Sequence, residues 1–142
     1  MPVPDPHLEP EFYEHLVLKR LLAWVVDSVI ALLITLLMVV FTAGLAAFVF
    51  PLAWFAASVA YRGAMLGASG ATLGMILAST RMLTRDGGRL DMTTGFLHAA
   101  IHSLGMAMFA PQVVSVILIL SGPQRRALAD HLLGTVIVNR PA

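Results

Sequence analysis

Apolar positions in this chain fall in long unbroken runs, without the alternation of a half-buried strand or the single stripe of a soluble helix. Leu21 to Phe41 is apolar except for Asp27, Ser28 and Thr35. Roughly 20 such residues cross a hydrocarbon core of about 30 Å as one helix. Apolar sequence resumes at Leu45 and continues to Tyr61, with Pro51 inside it. The Thr42-Ala43-Gly44 step between the runs is too short for a domain linker. The pattern therefore predicts a tight hairpin of two spans, at about 21–42 and 45–62.

The flanks of this hairpin differ from it. Residues 1–16 carry four prolines and four acidic residues, Asp5, Glu9, Glu11 and Glu14, without a sustained apolar period. They predict a solvated N-terminal tail, helical at the earliest from Glu11. Residues 17–142 read as a single membrane domain. The first apolar run exceeds the 7–15 residues of a signal-peptide core and follows an acidic tail, so a retained span is expected.

Beyond the hairpin, residues 62–94 carry Arg62, Arg81, Arg85, Arg89, Asp86 and Asp91 and six of the eleven glycines. The loop at about 63–94 reads as interfacial or extramembrane. Within it, Gly70 to Ser79 is apolar but too short to cross, which predicts a helix at the interface or a partly re-entrant element. Thr80 to Thr84, the Arg85-Asp86-Gly87-Gly88 turn and Arg89 to Met92 read as strand, turn, strand. A last apolar segment, Leu97 to Leu120, is interrupted by His98, His102, Gly105, Pro111 and Gln112.

Charge decides how that last segment is expected to run. Basic residues flanking spans favour the cytoplasm, and Lys19-Arg20, the arginine-bearing loop and Arg125-Arg126 all carry them. A hairpin puts the tail and loop on one side, so a third full crossing would leave Arg125-Arg126 on the other. The segment at 97–120 reads as kinked or re-entrant, and a bent segment that returns to the cytoplasmic face keeps all three together. The C-terminal part, about 124–140, reads as a short helix stopped by Gly134 and a β-branched strand, Val136 to Val138, whose expected partner is Thr80 to Thr84. The fold class is thus an all-α membrane protein with one small β-pairing.

Composition agrees with a bilayer as solvent: 58% of residues are hydrophobic and 12% charged. A net charge of +1 implies no nucleic-acid partner. The absence of cysteine excludes disulfides and thiolate metal sites. No nucleophile elbow, P-loop or dinucleotide-binding turn is present, so neither an enzyme nor a cofactor is expected.

Asp27 carries the strongest chemical signal, because an ionisable group inside a span costs several kcal/mol, on the order of 3 by insertion scales, and needs a partner. Arg20 is the nearest candidate, seven residues and almost two turns away on the same face. Three readings follow: a tie that holds helices together, a protonatable or cation-coordinating carboxylate, or a site for a lipid or partner subunit. His98 and His102 stand at i and i+4, where two imidazoles can reach one metal ion. Without a third ligand the pair predicts hydrogen bonding within the fold, and no metal. The methionines, including Met75, Met82, Met92, Met106 and Met108, read as packing.

Four elements in order carry a resemblance: Arg20 to Asp27, Gly70-Ala71-Thr72-Leu73-Gly74, Arg85 to Gly88, and Ala127 to Asp130 leading into Gly134-Thr135-Val136-Ile137-Val138. Together they resemble the RDD family of small multi-span bacterial membrane proteins. The resemblance places the name-giving arginine and two aspartates on Arg20, Asp27 and Asp130, and adds Gly70, Thr72, Gly74, Gly134 and Thr135 as motif residues. It implies the bacterial cytoplasmic membrane and a transport-related role, with some members described as cation/proton antiporter-like. Met75 and His98 stand where the family often has basic residues. The resemblance also makes Asp130 a candidate partner for Arg20, which is then expected between Asp27 and Asp130. So few spans contain no inverted repeat, so transport calls for a homo-oligomer or a larger membrane partner. The other expectation is a non-transporting module whose trio is structural and whose cytoplasmic face binds a protein.

Overall fold

The computed structural model describes residues 3–140, and its architecture is the hairpin with a polar cap at one end. Helix α1 covers Leu16–Phe41 and α2 covers Phe50–Ser69. Both lie in helical stretches long and apolar enough to cross a membrane. In their most apolar windows only 17% and 22% of residues are buried, so most of their surface faces outward, as lipid contact requires. Pro51 falls in the first turn of α2, where its missing N–H leaves no hydrogen bond broken.

The buried stripe of α1 repeats every fourth residue as Ala23, Asp27, Ala31 and Thr35. Small side chains at this spacing let α2 come close, and Ala53 and Ala57 are buried on its side. Helix α2 continues past the expected end near residue 62 to Ser69, because nothing before Gly70, with φ of +73°, breaks it. This extension turns Arg62 from a loop residue into an inward-facing one.

Two short elements follow: α3, Leu73–Leu77, and the strand β1, Thr80–Thr84. The strand pairs antiparallel with β2, Thr135–Asn139, in the register Met82 to Ile137. This is the expected pairing. Arg89 to Met92, read from sequence as the second arm of a hairpin, is not a strand. The turn does form, with Thr84 N–H donating to the Gly88 carbonyl at 2.9 Å. Asp91 then caps the next helix by accepting from Thr94 N–H at 2.7 Å, which claims the chain for helix.

That helix, α4, spans Met92–Ala107 and meets α5, Phe109–Ser121, at a bend of 114°. The last apolar segment is therefore sharply bent, as the basic pair behind it suggested. A final short helix, α6, covers Leu128–Leu133. The N-terminal tail is not left free, since Tyr13 and Leu16 are buried and Asn139 donates to the carbonyls of Glu11 and Glu14.

Helices α2 and α4 touch backbone to backbone. A Cβ on Gly95 would lie 2.7 Å from Gly67 N and 2.9 Å from Gly63 O. Gly95→Val forces the helices apart, an overpacking that costs about 1–3 kcal/mol. Thermal unfolding in detergent is expected to show a lower midpoint; an unchanged one would mean that the close approach contributes nothing.

Candidate functional site

The site is built where three helices and the polar cap converge, and its centre is Asp27. That residue is 4% exposed. Its Oδ1 accepts from the Tyr61 hydroxyl at 2.7 Å and from Gly74 N–H at 3.0 Å. Its Oδ2 accepts from Arg62 Nη1 at 3.0 Å and from the Thr72 hydroxyl at 2.6 Å. An ionised carboxylate offers about four lone-pair positions, and here all four are taken.

The sequence motif explains half of this arrangement. Gly70 takes the left-handed turn out of α2, and Thr72 caps α3 by accepting from Met75 N–H at 3.2 Å while its own proton goes to Asp27. Gly74 presses its backbone onto α1, where a Cβ would collide with the Ala23 carbonyl and sit 2.8 Å from Asp27 Oδ1. Only a glycine lets the amide reach that carboxylate. The Tyr61 hydroxyl ties the set together, since it also accepts from Leu73 N–H at 3.0 Å.

Asp130 repeats the pattern at the polar end. It is completely buried. Its Oδ2 accepts from Arg20 Nη1 at 3.2 Å and Ala127 N–H at 3.0 Å; its Oδ1 pairs with His98 Nε2 at 2.7 Å and accepts from the Thr135 hydroxyl at 2.9 Å. Burial alone raises this carboxyl, but the Arg20 charge and the His98 bond outweigh it and hold it well below the usual range. The group is therefore ionised and accepts only, so His98 presents Nε2–H to it. Gly134, with φ of +69°, ends α6 and aims Thr135 back at the carboxylate.

The expected pairing is thus half corrected. Arg20 does meet Asp130, but Asp27 takes its cation from Arg62, so Arg20 does not bridge the two aspartates. Sequence reasoning missed Arg62 and Tyr61. A signal for Arg62 was present: Asp27 precedes Gly44 by 17 residues and Arg62 follows Leu45 by 17, which puts them level in an antiparallel hairpin. The histidines do not act as a pair. His98 is bound to Asp130, whereas His102 lines cavities, and among the described residues no group of three or more metal-type side chains could hold an ion.

Two cavities meet at this centre. One, of about 510 Å³, lies among α1, α2 and α4, with Ala31, Pro51 and Trp54 in its wall. The other, of about 320 Å³, lies toward the polar cap, between α1 and α5, with Arg20, Gln112 and Ile137 in its wall. Trp24, Asp27, Arg62 and His102 line both.

A hairpin of membrane-length helices that buries an Asp27–Arg62 pair, with a second pair, Arg20–Asp130, where the hairpin meets the polar cap, defines a small helical membrane protein with an organised polar interior. The model of the RDD family matches residues 16–134, and the chain belongs to that family. Neither a curated protein nor a solved structure matches it.

Proposed function

We propose that the chain is a non-enzymatic, transport-related protein of the bacterial cytoplasmic membrane, crossing the bilayer more than once, in which Asp27, Arg62 and His102 form the barrier between two cavities. One observation carries the reading: the buried ion pair and His102 line both cavities. Exchange of a small cation for protons on Asp27 requires Arg62 to leave first, because no lone pair of the carboxylate is vacant. Arg62 is then the moving charge and Asp27 the fixed one. The bilayer supplies most of the outer surface, and a homo-oligomer or larger membrane partner would complete a pathway that so few helices leave open.

Proteoliposomes test this directly. Wild-type protein is expected to couple cation entry to proton exit, read by a trapped pH dye, and Asp27→Asn to abolish the coupling. The carboxamide of that variant keeps an oxygen acceptor for Tyr61 and Gly74 but leaves Arg62 without its counter-ion, so a monodisperse elution profile in detergent is required before its traces are compared. A second reading is favoured by the filling of both carboxylates: a non-transporting module or accessory subunit whose Arg–Asp pairs lock the fold and whose cytoplasmic face binds a protein. Identical traces from wild type, Asp27→Asn and empty vesicles would leave that reading standing.

A further inference from the structure

The cavity of about 320 Å³ has an uneven balance of charged hydrogen-bonding groups. Its one anion, Asp27, is filled by four donors. Its two cations are not. A guanidinium has five N–H groups, and Arg20 and Arg62 each give Nη1 to a carboxylate. The buried Nε of Arg62 has no partner among the described residues. His102 and Gln112 stand in the same wall and add N–H groups. A second cation entering here finds no vacant charged acceptor, whereas an anionic head finds several donors.

The rest of the cavity is apolar, and its rim faces outward. Leu21, Trp24, Val116 and Leu120 line it and are also exposed on the outer surface. A molecule can therefore reach the arginines from the hydrocarbon side, leaving its apolar part against that rim. From this balance of charge and surface we infer that the cavity between α1 and α5 binds an anionic amphiphile, with one acidic head at Arg20, Arg62, His102 and Gln112 and one apolar chain along Leu21, Trp24 and Val116. Binding needs no cation exchange. Free fatty-acid-type carboxylates and anionic phospholipids share this chemistry.

Trp24 reports on the site. The full chain has two tryptophans, Trp24 and Trp54, and only Trp24 lines this cavity. Trp54→Phe protein in nanodiscs of zwitterionic lipid is titrated with an ω-bromo medium-chain carboxylate, whose bromine quenches tryptophan on contact. Saturable quenching is expected, with at least tenfold weaker binding of the ω-bromo trimethylammonium analogue of equal length. The Asp27→Asn, Arg62→Gln double variant removes both charges as a pair and is expected to weaken the carboxylate at least tenfold. Equal quenching by the two head groups, or quenching that rises without saturation, overturns the inference and needs no variant to fold. Retained affinity in a folded double variant overturns it as well. Repeating the titration in discs containing anionic phospholipid assigns the source: lost quenching means the lipid already occupies the site, and persistent quenching means a free acid is preferred. The outcome is separable from transport, since a protein that binds the carboxylate without moving cations retains this site and loses the exchange reading.

Discussion

Asp27→Ala is expected to lower stability by about 3–5 kcal/mol, the range for breaking a buried ion pair from one side. The cost arises because four donors lose their acceptor at once: the Arg62 guanidinium, the Tyr61 and Thr72 hydroxyls and the Gly74 amide. Arg62 then keeps a buried charge with no counter-ion. Removing the charge as well, in Asp27→Ala with Arg62→Met, is expected to recover a large part of the loss, since a buried pair is often no better than apolar residues of similar volume. Thermal denaturation of the four proteins in one detergent completes the cycle. Additive losses from the two single changes would show that the pair is not coupled.

Asp130→Ala is expected to cost about as much near neutral pH, on the order of 3–5 kcal/mol, and acid should reveal its source. The carboxyl of Asp130 is depressed in the folded state. Its contribution is therefore complete above the unfolded value of about 3.9 and is lost as pH falls from there toward the folded value. The stability gap between wild type and Asp130→Asn should stay level from about pH 7 to about pH 5 and shrink below about pH 4. A gap that widens in acid would contradict the assignment of the ionised form. His98→Phe, which removes one of the four donors, should narrow the gap at neutral pH without closing it.

Much of the fold was legible because few residue patterns satisfy a bilayer. Two runs of apolar residues joined by a three-residue step leave little but a hairpin, and the basic pair after residue 120 made a bent final segment the expected one. The β-pairing was legible for a different reason: a lone β-branched run near the C-terminus needed a partner, and Thr80 to Thr84 was available. Arg89 to Met92 misled because a good turn signal does not require two strands, and the capping offered by Asp91 was stronger. The site was legible only in part. Asp27 announced itself by its charge, but its cation sits on another helix and was masked by the assumption that α2 ends where the first arginine appears. Tyr61 and the Gly74 amide carry no charge signal at all. Their roles come from close packing, which periodicity does not encode.

The Arg20–Asp130 contact joins positions 110 apart, and this separation sets an order of events in the cell. At about 5–20 residues per second of synthesis, Arg20 is made roughly 6–22 s before its carboxylate exists. The hairpin, with its own Asp27–Arg62 pair, is complete in sequence long before that. Insertion and closure are therefore separate stages: the first half can settle in the bilayer while Arg20 waits at its edge, in water or against lipid phosphates. The segment around Asp130 then finishes the fold. A chain shortened before Asp130 is expected to enter the membrane normally and be cleared by quality-control proteases, which read an unclosed polar cap.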